Sequence, residues 1–247
     1  MRKKILAANW KMNLTQPEVD TWLETFHTLE RHSLKAEVRI YPSAIFLKDF
    51  THTDLHFGAQ NVYSALDGAF TGELSVAQLQ SIGVQSVLIG HSERRQIFAE
   101  DNDVITQKVK ACASANFPFI LCCGEALDVR DAGTHIAFVL AQLSENLSQL
   151  SPSKLPLLVV AYEPIWAIGT GLSADIAQVT EMHLAIRNHL LALFGEAGQQ
   201  VSILYGGSVH IENASTIFGC PNVDGALVGG AALDPYIFNQ LCKALQA

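Results

Sequence analysis

Eight short, β-leaning apolar runs divide the chain: Ile5 to Asn9, Val38 to Tyr41, Phe57 to Gln60, Val87 to Gly90, Phe119 to Cys122, Leu157 to Tyr162, Ser202 to Tyr205 and Ala226 to Val228. Between them lie segments with apolar residues at helical spacing, such as Pro17 to Arg31, Asp103 to Ala115, Ala137 to Leu150 and Ala174 to Phe194, with Pro17 suited to a first turn. This alternation predicts parallel βαβ units, because a parallel neighbour is reached only through a crossover long enough to hold a helix. Eight units in 247 residues favour a closed (β/α)8 barrel, eight parallel strands surrounded by helices. Periodicity alone also admits an open doubly wound sheet. A composition that is 49% apolar and 16% charged suits a sheet buried on both faces. No Pro/Ser-rich linker or charge run interrupts it, so residues 1–247 read as one domain.

Charge and composition narrow the function. The net charge is −8 and the basic residues form no cluster beyond Arg2-Lys3-Lys4, which argues against nucleic acid as a partner. No apolar run approaches the roughly 20 residues of a membrane span, and the N-terminus lacks the long apolar stretch of a signal peptide. A cytoplasmic protein with no membrane partner is expected. Five cysteines, with Cys122 and Cys123 adjacent and no CxxC, read as reduced thiols, and nine scattered histidines give no metal-ligand cluster.

In a barrel of this kind the chemistry sits at the C-terminal ends of the strands. Those ends read Asn9-Trp10-Lys11, Gly90-His91-Ser92-Glu93, Tyr162-Glu163-Pro164, Tyr205-Gly206-Gly207-Ser208 and Val228-Gly229-Gly230. Glu163 closes an apolar strand, where a carboxylate is costly to bury and becomes a better base for being desolvated. A strand-end glutamate salt-bridged to a neighbour is the alternative. His91 opens a run where a helix can begin, so the helix dipole and Lys11 both disfavour imidazolium; a neutral ring can donate to a substrate oxygen and take the proton back. The glycine pairs let backbone N–H groups approach an anion, as a phosphate site after strands seven and eight requires, although two tight turns would look the same.

The segments NWKMN at 9–13, GHSERR at 90–95, AYEPIWAIGTG at 161–171, YGGSV at 205–209 and LVGGA at 227–231 closely resemble triosephosphate isomerase, a TIM barrel. The resemblance implies interconversion of D-glyceraldehyde 3-phosphate and dihydroxyacetone phosphate through an enediolate, in glycolysis and gluconeogenesis, without metal or organic cofactor. It makes Glu163 the base, His91 the electrophile and proton shuttle, Lys11 the electrostatic stabiliser, Asn9 its polar neighbour and Glu93 the partner that holds Lys11. The substrate phosphate falls to Gly169, Ser208, Gly229 and Gly230, with Asn9 and Lys11 also binding substrate. Residues 164–174 resemble a mobile lid, and Ile168 with Leu227 an apolar clamp over Glu163. The stretch Gln60 to Ser75 resembles the loop that joins a homodimer, with Thr71 reaching the partner near its Lys11 and Glu100 a polar interface residue; a loop folded on its own chain is the alternative. Three departures stand out: Ala99 where many relatives have Gly, Cys123 where Ile or Val is common, and Ala232 where Ser is common. Cys123 raises the expectation of oxidant sensitivity, against which stands the inertness of a buried thiol.

Overall fold

A computed structural model of the chain describes residues 2–29, 36–168 and 173–245. Eight parallel strands, β1 (Ile5–Asn9), β2 (Glu37–Tyr41), β3 (His56–Ala59), β4 (Ser86–Ile89), β5 (Phe119–Cys123), β6 (Leu158–Tyr162), β7 (Ser202–Tyr205) and β8 (Gly225–Val228), pair in chain order. β8 returns to β1, so the sheet closes into a barrel and the open-sheet alternative is excluded. Around it lie α1 (Gln16–Thr28), α2 (Val76–Ser81), α3 (Ser92–Gln96), α4 (Asn102–Ser114), α5 (Leu127–Asp131), α6 (His135–Asn146), α7 (Ile176–Phe194), α8 (Ile211–Phe218) and α9 (Pro235–Ala244). None of the helices among the described residues is long and apolar enough to cross a membrane.

The two-residue period of the strands makes two cores. Ile5, Ala7, Tyr41, Leu88, Ile120, Cys122, Val159, Ala161, Leu204 and Leu227 fill the barrel, while the alternate residues, Leu6, Ala8, Ile40, Val87, Ile89 and their equivalents, pack outward against the helices. Closure itself depends on one glycine. Gly225 sits at φ 138°, and a Cβ there would lie 1.8 Å from the Ile5 carbonyl oxygen, so any side chain would push β8 off β1.

Capping explains where helices differ from their expected bounds. α1 begins at Gln16 because the Thr15 N–H donates to Glu18 Oε2 at 2.7 Å, with Pro17 in its first turn; residue 31, the expected end, lies outside the described residues. α7 starts two residues late because Asp175 takes the cap, its Oδ1 accepting from Gln178 N at 2.8 Å. α6 ends at Asn146, ahead of a 3-10 segment that opens on Pro152, so the expected continuation to Leu150 is lost. The crossover between β2 and β3 holds no α-helix but a 3-10 segment, Ala44–His52, which still buries Phe46, Leu47 and Phe50.

Two features carry measurable consequences. His183 on α7 is fully buried; its Nδ1 donates to the Asn222 carbonyl at 3.0 Å, and its ring meets Tyr162 edge-on at 6.0 Å. Burial pushes its pKa down to about 4. The unfolded chain therefore binds a proton below about pH 6.5 that the folded chain refuses until about pH 4, so the native state loses stability as pH falls through that window, by up to about 3 kcal/mol from this residue. Urea unfolding at pH 7 and pH 4.5 should show that loss, and His183→Gln should shrink the difference between the two midpoints. Ala99 adopts φ 54°, a left-handed backbone that costs a residue with a Cβ roughly 1–2 kcal/mol. Because glycine also gains chain entropy when unfolded, Ala99→Gly should stabilise the protein by no more than about 1 kcal/mol, read as a raised urea midpoint with unchanged slope.

Candidate active site

The ends of β1, β4, β6, β7 and β8 face one cavity of about 360 Å³, lined by Asn9, Lys11, His91, Glu163, Ser208, Gly229 and Gly230 among others. Gly169 lies outside the described residues. Every other residue expected at the site lines this cavity except Glu93, which stands behind Lys11.

Glu163 is 2% exposed, yet no Lys or Arg pairs with it among the described residues. Its Oε2 accepts from the Ser92 N–H at 2.9 Å, and its Oε1 lies 2.9 Å from His91 Nε2 and 3.5 Å from Ser92 Oγ. The first peptide N–H of α3 and an imidazole thus compensate the buried charge, and both are groups that a carboxylate can leave without abandoning a fixed cation. The backbone beneath is held on both sides, Glu163 N donating to Cys123 O at 2.8 Å and Gly206 N to Tyr162 O at 2.7 Å.

His91 caps α3, its Nδ1 accepting the Glu93 N–H at 3.3 Å. An accepting Nδ1 leaves the ring proton on Nε2, directed at Glu163. Burial lowers the His91 pKa and Lys11 lowers it slightly, but the charge and hydrogen bond of Glu163, with Glu93 beyond, outweigh both and raise it overall. The expectation that the helix end and Lys11 disfavour imidazolium is therefore incomplete: while Glu163 rests on the ring, its charge dominates.

Lys11 reaches Glu93 Oε1 at 2.8 Å, the partnership expected for these residues. Its backbone is unusual, at φ 54°, a conformation that a lysine holds only when its surroundings enforce it. Asn9 Oδ1 accepts the Lys11 N–H at 3.0 Å, while Ser43 Oγ and Gln60 Nε2 donate to the Lys11 carbonyl at 2.9 and 2.8 Å. Asn9 thus acts on Lys11 through the backbone as well as lining the cavity.

The glycine pairs divide into two kinds. A Cβ on Gly206 would lie 2.8 Å from Glu163 Cγ, and one on Gly207 would lie 2.2 Å from the Tyr205 hydroxyl, so packing beneath Glu163 and Pro164 requires both. At Gly229 the nearest atom to such a Cβ is Lys11 Cε at 3.5 Å, and at Gly230 nothing lies within 4 Å. Only the second pair therefore leaves open space at the cavity for a ligand to approach the backbone.

Several residues that support the site escaped the sequence reading. Ser92, Ser43 and Gln60 are three of them. Glu125 is another: fully buried, its Oε1 accepts from Tyr162 Oη and Trp166 Nε1 at 3.0 Å each and from Arg130 Nη1 at 3.2 Å. It thereby fastens the 3-10 turn Ile165–Ala167 that leads into the expected lid, of which residues 169–172 lie outside the described residues. A Glu followed two residues on by Leu127 at a helix start carried no signal for this role. Ile168 and Leu227 both line the cavity. Glu100, expected as a polar interface residue, is 8% exposed and paired within its own chain to Lys108 Nζ at 2.6 Å and to Arg94. Cys123 is buried and its thiol is pushed up by burial, which keeps it protonated and works against the expected sensitivity to oxidant. Ala232 is buried and offers its carbonyl to Trp22 Nε1 at 3.1 Å. Among the described residues no three His, Cys, Asp or Glu side chains come close enough to hold a metal ion.

With this geometry in place, comparison with known proteins is specific. A family model described as triosephosphate isomerase matches residues 4–245. The chain is 43% identical over 250 residues to the triosephosphate isomerase of Cytophaga hutchinsonii, covering 99% of this chain and all of the relative. It is 40% identical to that of Thermodesulfovibrio yellowstonii over 98% of this chain and all of the relative, and 39% identical to that of Pseudomonas entomophila over 99% of each. A match that spans the closed barrel and every strand end around the cavity shows that the chain belongs to the triosephosphate isomerase family.

Proposed function

We propose that this protein interconverts D-glyceraldehyde 3-phosphate and dihydroxyacetone phosphate, with Glu163 as the base. The observation that carries the reading is the contact of a buried carboxylate, unpaired with any Lys or Arg among the described residues, and an imidazole at 2.9 Å, both on a cavity that also holds a lysine. Glu163 takes a proton from the carbon beside the carbonyl and returns it to the neighbouring carbon. His91 gives its Nε2 proton to the developing oxyanion and recovers one from the adjacent hydroxyl, so the enediolate forms and collapses with no net proton change. Lys11, paired with Glu93, stabilises the negative oxygen and attracts the phosphate.

The same geometry gives each step a physical cause. To reach carbon, Glu163 must leave Ser92 and His91, and the influence that raises the His91 pKa leaves with it. The ring then faces substrate as the neutral donor its Nδ1 contact already specifies. Asn9 positions Lys11, and Ser208, Gly229 and Gly230, together with Gly169, take the phosphate through backbone N–H groups. Closure of residues 164–174 excludes water from the enediolate, with Ile168 and Leu227 pressing on the carboxylate. The setting we propose is cytoplasmic, in glycolysis and gluconeogenesis, and the chemistry uses no cofactor.

We also propose a homodimer. Met12, 95% exposed, and Phe98, 61% exposed, line one cleft, and Ile45 and Ile97, next in sequence to Ala44 and Phe98 of that cleft, are 80% and 71% exposed, bare apolar surface of the kind that marks an interface. The cleft, of about 350 Å³ and bounded by Lys11, Met12, Glu93 and Phe98, opens beside the active-site cavity. Thr71, exposed on the 60–75 loop, is the residue we expect to enter the equivalent cleft of a second copy and to steady Lys11 there.

Two experiments test these readings. In a coupled assay with glyceraldehyde 3-phosphate, Glu163→Asp, which withdraws the carboxylate by one methylene, should lose about 100-fold or more in kcat with little change in unfolding midpoint, and Glu163→Gln should be at least as impaired. Near-normal turnover of either would remove Glu163 from its role. Phe98→Glu should shift sedimentation from dimer to monomer and lower kcat/KM by about tenfold or more as Lys11 loses its support; a variant that stays dimeric, or a wild type that sediments as a monomer, overturns the assembly.

A further inference from the structure

The opposite end of the barrel holds a second polar site. The first residues of β1, β2, β3, β6 and β7, Ile5, Glu37, His56, Leu158 and Ser202, all line a cavity of about 420 Å³, far from the strand ends that hold Glu163 and His91. Its other walls are largely apolar, including Pro118, Pro152, Leu155, Pro156 and Val201. A volume in this range accommodates an organic small molecule.

At its inner edge the charges do not balance. Glu37 Oε1 accepts from Arg39 Nε at 2.8 Å and lies 3.3 Å from His56 Nδ1, while Oε2 accepts from Lys3 Nζ at 3.2 Å. His56 Nε2 lies 3.1 Å from Ser86 Oγ, which in turn lies 2.8 Å from the Tyr41 hydroxyl. One arrangement of protons satisfies this chain: Tyr41 donates to Ser86, Ser86 to His56 Nε2, and a neutral His56 donates from Nδ1 to Glu37. Burial, then the neighbouring Arg39, hold His56 neutral by lowering its pKa to about 4. Glu37 is therefore saturated by three donors, and two cations face one anion. Arg39, whose side chain is 5% exposed and lines the cavity, is paired with Glu37 and interacts with the Tyr41 hydroxyl, yet its Nη1 has no acceptor within hydrogen-bond geometry among the described residues. A buried guanidinium N–H without an acceptor costs free energy that a structural plug of the barrel floor would avoid.

We infer that this basal cavity binds a small organic monocarboxylate, its carboxylate on Arg39 and its apolar body between the proline and leucine walls. A carboxylate supplies the acceptor that Nη1 lacks. Inorganic phosphate fits less well, because a dianion would meet Glu37 and leave the apolar walls uncovered. The site is independent of the proposed isomerase chemistry, and its test does not use turnover.

Isothermal titration of the full-length protein with 3-phenylpropionate provides the test. Wild type should bind one molecule per chain, and 3-phenylpropionamide, which keeps the shape and removes the charge, should bind at least about tenfold more weakly. Ala197→Trp, at an exposed position on the cavity rim, should close the entrance and weaken the acid by at least about tenfold; Arg39→Met, which keeps the aliphatic stem, should do the same. If Arg39→Met fails to fold, the acid-against-amide comparison and Ala197→Trp still decide. Absence of saturable binding by wild type, equal binding of acid and amide, or undiminished binding to Ala197→Trp overturns the inference, the last by placing the ligand elsewhere, including the mouth at the other end.

Discussion

Everything at the active site depends on the seam between β1 and β8. Were the sheet open, the ends of its first and last strands would lie at opposite edges, and Lys11 could not share a cavity with Gly229. The seam is made by four residue pairs, from Ile5 with Gly225 to Ala8 with Val228, and it tolerates no side chain at its first position. Closure turns a linear order of strand ends into a ring, which brings together side chains that are 152 residues apart in sequence, Lys11 and Glu163. The inner core of alternating strand residues makes that ring rigid, so the groups it carries can hold unfavourable conformations such as the left-handed Lys11.

The protein treats its buried carboxylates in two ways, and the contrast points to their uses. Glu100 and Glu125 are each locked by cationic partners on the same chain, Lys108 and Arg94 for one and Arg130 for the other. Such pairs fix geometry and do not move. Glu163 instead rests on a peptide N–H, a serine hydroxyl and an imidazole, none of which binds it with a full charge of its own when His91 is neutral. A carboxylate held by no fixed cation can be displaced, as the base proposed for this reaction must be. The basal cavity shows the same logic from the other sign: Glu37 is saturated and the neighbouring guanidinium is not.

Some of this was legible in residues alone. Strand positions follow from short apolar runs because backbone pairing and side-chain alternation are local properties, and the starts of α1 and α7 needed only their caps at Thr15 and Asp175 to fix them. Lys11, His91 and Glu163 were legible because each breaks an apolar run at the same point in a βα unit. Ser92, Ser43, Gln60 and Glu125 were not, since each supports the site through a hydrogen bond to a residue 32 or more positions away, which no local pattern encodes. The left-handed Ala99 was visible only as an unusual residue until its φ gave that oddity a cause.

The sequence by itself determined the alternation of strands and helices and the residues at the strand ends, because these depend on composition and near neighbours. The tertiary structure decided the rest. It chose a barrel over an open sheet, set the direction in which Glu163 raises the pKa of His91, separated the glycines needed for packing from those facing open space, and gathered Lys3, Glu37, Arg39 and His56 at the barrel floor. Each of these depends on distances between residues remote in the chain, and Coulomb interactions, steric contact and hydrogen bonding all act through distance in space and not along the sequence.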